Sequence, residues 1–260
     1  MTVQANEAQV AMLKDSVDEW NKWRTANSGR AVQLTRADLG GTDLSGAKLT
    51  KALLVHADLT KAKLVGADLS KNSFSSVNLS EADLTGADLT GCSFPRTKLA
   101  GADLTNAKLS KAEFEEAFLD GCQATGADLS DSTFSETRFR DPEGIGSTVC
   151  FDSAKLVRAA LPGADLSDGN FRQADLSDAN LSGANLGGAY FAEATLVRID
   201  LSEANLQSAI LTNANLTGAN LAKANLTAAD LSGADLTGAD LTGARLTDAA
   251  FDNCRGYTAS

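Results

Sequence analysis

Residue types that support catalysis are few in this 260-residue chain. His56 is the single histidine, so no histidine pair is available for acid–base chemistry. The four cysteines include no CxxC spacing, which argues against a zinc site. The segment GIGST at 144–148 has glycines but lacks the lysine of a phosphate-binding loop. The sequence therefore predicts no catalytic residue, no metal site, no cofactor and no enzymatic activity.

The aspartates are numerous, but their spacing is regular. Paired catalytic carboxylates require an asymmetric pocket that shifts their pKa values apart, and evenly repeated acids do not indicate one. They belong instead to a repeat. Every fifth residue from Leu34 to Phe139 is Leu or Phe except Ala124, and from Phe151 to Phe251 there is no exception. Because a period of five fits neither a helix nor a flat strand, this repetition dictates the fold.

The spacing of the phenylalanines predicts the size of one turn. Phe74, Phe94, Phe114 and Phe134 are each separated from the next by four repeats of five. If four repeats make one coil, these rings form a single stacked column. Phe151, Phe171 and Phe191 repeat the same spacing. A square coil with one five-residue repeat on each side follows.

Runs such as ADLTGADLTG and ANLSGANLGG resemble the pentapeptide-repeat family, whose motif is A(D/N)Lxx. The resemblance covers about residues 32–255. It implies an all-β fold, a right-handed quadrilateral β-helix with four pentads per coil. At the spacing of paired strands, the repeats predict a rod about 50 Å long.

One elongated domain is predicted, which consists of a capping helix within 1–30 and a β-helix over 31–256. Residues 7–25 read as one helix, with Asn6 as its N-cap. Its apolar stripe consists of Val10, Leu13, Val17 and Trp20. The stripe is predicted to cover the hydrophobic core that would otherwise be exposed at the start of the first coil, because a solenoid needs terminal caps. A partner-binding helix is the alternative.

The β-helix is interrupted by a predicted loop at 142–148, with the sequence PEGIGST. The repeat resumes in phase after it. The loop is interpreted as a tolerated insertion or as a contact loop in which Glu143 and Ile145 are candidate partner-binding residues, since loops on rigid scaffolds often bind.

The repeat also predicts a filled interior. The position two before each central Leu or Phe is Ala in 31 of 43 repeats. Cys92, Cys122 and Cys254 occupy the same position as small apolar fillers. No cavity of substrate size is therefore expected inside the rod. Asn72 and Ile199 do not fit this pattern and are expected to be strained or solvated. On the outside, Asn185, Asn205 and Asn225 are expected to form a hydrogen-bonded amide ladder.

The formal charge is −11, and residues 141–260 carry 7 basic and 15 acidic side chains. Such a surface repels phosphate, which argues against direct nucleic-acid binding, and it attracts basic proteins. Solubility of an Ala- and Leu-rich rod is the alternative role of the charge. The N-terminal segment through Trp20 contains acids and no long apolar run, so neither a signal peptide nor a membrane span is predicted and a cytoplasmic location is expected.

A non-enzymatic protein-interaction scaffold is the favoured function. The family resemblance implies an alternative, because some members protect bacterial DNA gyrase and topoisomerase IV from quinolones by imitating DNA. Asp230, Asp235 and Asp240 are the candidate contact residues for such a type II topoisomerase. Lysines in the first half of the chain interrupt the acidity. A structural assembly protein is a third class, with a homodimer predicted through the C-terminal end.

Overall fold

A computed structural model describes residues 4–140 and 148–257. From Val32 onward the chain is a parallel β-helix in which a repeat pairs with the repeat four places later, as in Asp38–Asp58 and Asp43–Lys63. Four repeats thus complete one coil. The regular pieces of strand are short: β1 Val32–Gln33, β2 Ala52–Leu53, β3 Glu113–Glu115 and β4 Thr133–Ser135.

The four sides of the rod are named by the central residues of the first coil. Side 1 contains Leu34, side 2 Leu39, side 3 Leu44 and side 4 Leu49. Where the pairing is regular, three backbone hydrogen bonds hold a side to the next coil. On side 2, Leu39 N–H donates to Asp58 O, Gly41 N–H to Thr60 O, and Asp58 N–H to Ala37 O, at 2.8, 2.8 and 2.9 Å.

Corners between sides need a left-handed backbone two residues after each central position. Gly46 and Gly66 have φ of 69° and 62° there, and non-glycine residues such as Asp178 adopt the same conformation, with φ of 59° or close to it. Asn and Asp tolerate this region better than most residues, but Lys, Arg, Glu and Ser also adopt it at many corners, because the neighbouring coils hold the backbone in place.

The interior is filled by the two inward positions of each repeat, and it contains the predicted aromatic columns. Phe74, Phe94, Phe114 and Phe134 stack on side 1, with ring centroids 4.9, 4.7 and 4.7 Å apart. A second column on side 3 contains Phe151, Phe171 and Phe191, at 5.3 and 4.8 Å. The prediction of stacked rings is confirmed.

The insertion between the two halves changes the side on which the aromatic column lies. Across it, the pairing offset is longer than one coil by the length of the insertion, as in Gln123–Cys150 and Thr133–Ala160. Phe134 therefore lies one coil before Leu161 in the column of side 1. Phe151 lies on side 3, opposite to the column of Phe134. Phe139 on side 2 connects the columns, with centroids 5.4 Å from Phe134 and 6.3 Å from Phe151.

Ala124, the exception in the repeat, lies in the column directly below Phe151. Its neighbouring coil carries three phenyl rings, those of Phe134, Phe139 and Phe151. A small side chain in the coil below offsets their extra volume, because close-packed interiors tolerate little change in volume. Most of the predicted loop, 142–147, lies outside the described residues, and so do Glu143 and Ile145.

The two inward misfits, which were expected to be strained or solvated, are both buried, so the solvated alternative was wrong. Ile199 is fully buried, and Asn72 is 3% exposed. Asn72 Nδ2 donates to Leu49 O at 2.9 Å, but its Oδ1 is buried without a hydrogen-bond partner. The coil closes around Asn72 because the neighbouring repeats fix its backbone.

The predicted single helix over 7–25 is instead two helices, α1 Glu7–Asp15 and α2 Val17–Ala26. Ser16 has an extended backbone, with φ −155° and ψ 116°, and its hydroxyl accepts from Glu19 N–H as the N-cap of α2. The chain turns there because the Ser16 hydroxyl caps α2, while the Ser16 N–H still donates to Met12 O at the end of α1. None of the helices within 4–140 and 148–257 has the length and apolar character needed to cross a membrane.

Candidate partner-binding surface

The outward residue before each central Leu or Phe is held by its own turn. When this residue is Asp or Asn, its Oδ1 accepts the backbone N–H two residues later, as from Ser45 to Asp43 and from Thr85 to Asp83. A Ser or Thr at that later position often adds its hydroxyl, as Ser45 does at 2.7 Å. The preference for D/N and S/T in the repeat thus has a local cause.

The three candidate aspartates are fixed in this way. Asp230, Asp235 and Asp240 accept from the N–H groups of the residues two further on, at 2.9, 3.0 and 2.9 Å. Hydrogen bonds from the side chains of Ser232, Thr237 and Thr242 lower the pKa of each carboxyl below its usual value, and the backbone bonds add to this. These carboxylates therefore stay charged well into the acid range.

The structure does not bring these aspartates together. Asp230 lies on side 3, Asp235 on side 4 and Asp240 on side 1, where they pair with Ile210, Asn215 and Asn220. They spread negative charge around the rod in one pair of neighbouring coils. A partner that contacts all three must wrap around the rod, and a partner on one side contacts one of them.

Side 2 carries the predicted amide ladder in the second half of the chain. Asn185 Nδ2 donates to Asp165 Oδ1, Asn205 to Asn185 and Asn225 to Asn205, at 2.9, 3.0 and 2.9 Å. The side-chain amides of the ladder hydrogen-bond to one another along the rod axis. This side therefore has a fixed row of uncharged side chains over three coils. The prediction from the sequence is confirmed.

Ion pairs between coils neutralise much of the corner charge, and the sequence analysis missed them. Arg198 Nε lies 2.7 Å from Asp178 Oδ1, Arg158 Nε 2.6 Å from Asp131 Oδ1, and Arg96 Nε 2.8 Å from Glu116 Oε2. In the sequence, these pairs are recognisable as opposite charges that occupy the corner position in repeats one coil apart. This pattern predicts Arg96–Glu116 and Asp178–Arg198. Arg158–Asp131 needs the longer offset across the insertion.

Among residues 4–140 and 148–257, three large apolar side chains are exposed, and these too were missed: Leu53, Val65 and Tyr190. They lie at outward positions that Asp, Asn, Ser or Thr usually occupies. Leu53 and Val65 belong to early coils, and Tyr190 lies on side 3 beside Ile210. Because they are separated, they form no single apolar patch of the size that marks a permanent interface.

In the part of the chain that the structure describes, the histidine and the two buried thiols, those of Cys92 and Cys122, lie in different coils. Burial raises the pKa of the Cys92 thiol to about 12 and raises that of Cys122 further, so both thiols are protonated at neutral pH. His56 is exposed at a corner. Among residues 4–140 and 148–257, no group of three His, Cys, Asp or Glu side chains is placed to hold a metal ion.

The α1–α2 segment contacts the first coil through polar and apolar groups. Leu13 and Trp20 are fully buried, whereas Val10 and Val17 are partly buried against the same core. The Gln9 amide donates to Ala31 O and accepts from Gln33 N–H. The Asn21 amide donates to Gly46 O and accepts from Lys48 N–H, and Trp20 Nε1 donates to Lys48 O at 3.0 Å.

The arrangement described above defines a class: a solid right-handed β-helix of five-residue repeats with its chemistry on the outside. The pentapeptide-repeat family matches the chain in eight copies, over residues 33–70, 52–91, 73–110, 102–141, 154–191, 184–222 and 219–255. The chain therefore belongs to the pentapeptide-repeat family.

Solved structures of other pentapeptide-repeat proteins are similar to this chain. HetL, involved in heterocyst differentiation regulation in the cyanobacterium Nostoc sp. strain PCC 7120, is 32% identical, with 88% of this chain and 94% of HetL covered and a TM-score of 0.30. QnrB1, a plasmid-mediated fluoroquinolone resistance protein, is 23% identical in a trypsin-treated form, with 70% and 88% covered and a TM-score of 0.36. No curated protein matches significantly.

Proposed function

We propose that this protein is a non-enzymatic scaffold that binds a basic protein partner through its outward side chains. The observation that carries this proposal is the filled interior: the two inward positions of the repeats are almost completely buried from Leu34 to Leu236. A rod of this kind offers a ligand its surface, on which turn hydrogen bonds and ion pairs hold the side chains in fixed rows. Such preorganised groups bind with a smaller entropic cost.

The partner is expected to be basic because the second half of the chain has more than twice as many acidic as basic side chains. The test neutralises Asp230, Asp235 and Asp240 to Asn, which keeps the Oδ1 acceptor of each turn. A control with Asp83, Asp88 and Asp103 changed to Asn removes the same charge from the first half. Partners captured by the wild type are purified and titrated calorimetrically against all three proteins.

We expect the second-half variant to lose about tenfold or more in affinity, and the control to lose less. Equal affinities for all three proteins would contradict binding through the acidic second half. Thermal unfolding of each variant checks that the rod is intact.

A DNA-mimicking inhibitor or protector of a type II topoisomerase is the second candidate. The excess of acidic over basic side chains in residues 141–260, 15 against 7, supports it, because a mimic of DNA must present negative charge. The assay is supercoiling by purified bacterial gyrase, with and without a quinolone. Inhibition or rescue at low micromolar protein that is lost in the second-half variant supports mimicry. An unaffected assay rejects it.

The α1–α2 segment is proposed to act as the cap of the first coil. Its carboxamides occupy hydrogen-bond positions that a preceding coil would fill, and Leu13 and Trp20 seal the core. A cytoplasmic location and a homodimer through the C-terminal end remain predictions from the sequence. Glu143 and Ile145 also remain candidate contacts, in the part of the chain that is not described.

A further inference from the structure

The two ends of the rod are chemically different, because every coil uses different groups toward its two neighbours. Toward the following coil, each side offers two donors and one acceptor: on side 2 of the first coil these are Leu39 N–H, Gly41 N–H and Ala37 O. Toward the preceding coil, each side offers one donor and two acceptors: on side 2 of the second coil these are Asp58 N–H, Asp58 O and Thr60 O. The rod thus has an acceptor-rich first end and a donor-rich last end.

At the first end, the helices occupy only two of the four sides. On side 1, Gln33 N–H and O bond with the side chain of Gln9 and the N–H of Asn6. On side 4, Lys48 N–H and O bond with Asn21 and Trp20, and Thr50 O accepts from Arg24. Helical side chains thus replace a preceding coil on these sides.

Sides 2 and 3 of the first coil have no such cover. Among the described residues, nothing hydrogen-bonds to the backbone N–H and O of Asp38 and Asp43, or to the backbone O of Gly40 and Ser45. All four residues are exposed. An edge with unpaired strand groups is a template for another strand.

At the last end, the matching groups on the same two sides are also free within the described residues. On side 2 these are Leu246 N–H, Asp248 N–H and Ala244 O, and on side 3 Phe251 N–H, Asn253 N–H and Ala249 O. Leu246 and Phe251 are only half-buried, whereas Leu226 and Leu231 one coil earlier are fully buried. The Tyr257 ring stacks on that of Phe251, with centroids 3.9 Å apart, so side 3 offers its backbone edge and not its core.

We propose that sides 2 and 3 of the first coil are a docking edge for the last coil of a second copy, in a head-to-tail arrangement. Backbone hydrogen bonds then form in the pattern of the rod itself along the part of these two sides nearest their shared corner. A tail-to-tail arrangement lacks this match, because it places the donor-rich edges of both copies against each other. Two first ends likewise oppose their acceptors and the carboxylates of Asp38 and Asp43.

Side-chain charge favours the same arrangement. In the side 2 column, Arg245 of one copy would lie next to Asp38 of the other, which in turn stacks on Asp58. Neither Asp38 nor Asp58 has an ion-pair partner among the described residues. Elsewhere in the rod such columns alternate in charge, as in Asp88–Lys108–Asp128–Lys155. Arg245 would extend that alternation across the junction.

The helices limit this contact to the corner between sides 2 and 3. Because α1 and α2 hold sides 1 and 4, the incoming copy meets the first coil with its axis tilted away from them. The interface is small and heterologous, so the association is weak, grows with protein concentration and does not close on itself.

Sedimentation velocity of the full chain over a wide concentration range, at low and high salt, tests this arrangement. We expect the mean sedimentation coefficient of the wild type to rise with concentration, less so at high salt. Asp38→Arg and Arg245→Asp should each weaken association at least tenfold, since each places like charges together. An equimolar mixture of the two variants should restore it, because the introduced arginine of one variant then meets the introduced aspartate of the other.

Asp103→Arg is the matched control, since it makes the same charge change on side 3 three coils into the rod, and it should leave association unchanged. Circular dichroism checks that every variant is folded. A wild type that is monomeric at all concentrations would overturn the proposal. Association that responds to Arg245→Asp but not to Asp38→Arg would also overturn it, in favour of a tail-to-tail dimer.

Discussion

At the scale of single residues, the outward Asp or Asn of each repeat is the most informative group. It closes its own turn and sets the local charge at the same time. Asp58 shows both roles: its Oδ1 accepts from the N–H and the hydroxyl of Thr60. The hydroxyl bond is the largest cause that lowers the pKa of Asp58, and the backbone bond is the second. Surface charge and backbone geometry are therefore coupled through one oxygen atom.

Replacing Thr60 by Val should raise the pKa of Asp58 toward the ordinary value of about 3.9, because the hydroxyl donor is lost. A carboxyl with a lowered pKa in the folded state stabilises the fold above its ordinary pKa, and this stabilisation is lost as the pH falls through the lowered value. Carboxyl NMR titration measures the shift. Thr60→Ser keeps the hydroxyl and should change little. A Val variant with an unchanged pKa would refute this coupling.

Asn72 offers a second test at this scale. Its buried Oδ1 has no partner, and Ala is the common residue at this inward position. Asn72→Ala loses one hydrogen bond to Leu49 O but removes an unpaired buried acceptor, whose cost is about 1–3 kcal/mol. We expect urea unfolding to show a gain of about 1 kcal/mol. Asn72→Asp, which buries a charge, should instead destabilise the protein, and a loss in the Ala variant would contradict the argument.

At the scale of elements, the two helices and the first coil form one unit. Trp20 and Trp23 have ring centroids 5.3 Å apart, but only Trp20 is fully buried and donates to the coil. The turn at Ser16 separates Leu13 in α1 from Trp20 in α2, and both side chains are fully buried. The cap is thus built from two short helices, one on each side of this turn.

Trp20→Ala should cost about 3–5 kcal/mol of unfolding free energy, as large aromatic truncations in a core do. Trp23→Ala, at a partly buried neighbouring position, is the control and should cost clearly less. Urea unfolding measures both, and hydrogen exchange at Gln33 and Lys48 reports whether the cap has loosened. Equal costs for the two variants would show that the helices do not seal the coil.

At the scale of the whole molecule, the rod is a one-dimensional stack in which each coil contacts only its neighbours. Because of the insertion, the phenyl column lies on side 1 in the first half of the rod and on side 3 in the second half. Ala124 is the place where the two halves adjust their volumes, since it lies below Phe151. The acceptor-rich and donor-rich ends also belong to this scale, since they follow from the direction of the whole ladder.

Ala124→Leu restores the common residue of the repeat, yet it should destabilise the protein by about 1–3 kcal/mol because no space is left beneath Phe151. Adding Phe151→Leu should recover most of that loss, since the two side chains share the same space. Thermal and urea unfolding of the two single variants and the double variant measure the coupling. A stabilised Ala124→Leu variant would contradict this account of the junction.

The amino-acid sequence by itself determined the coil, its four sides, the filled interior and the Asn185–Asn225 ladder. These features follow from a period that repeats locally, so each residue's place is fixed by its position in the five. The break at Ser16 was also readable, from the pair Ser16 and Glu19, although the apolar stripe suggested one helix.

Only the tertiary structure decided which columns meet across the insertion, where the helices attach and which edges stay open. The longer offset that joins Asp131 to Arg158 depends on how the chain closes after the insertion. The free edge at Asp38 and Asp43 depends on the sides that α1 and α2 leave uncovered. Long-range contacts of this kind depend on three-dimensional placement, which a five-residue period does not encode.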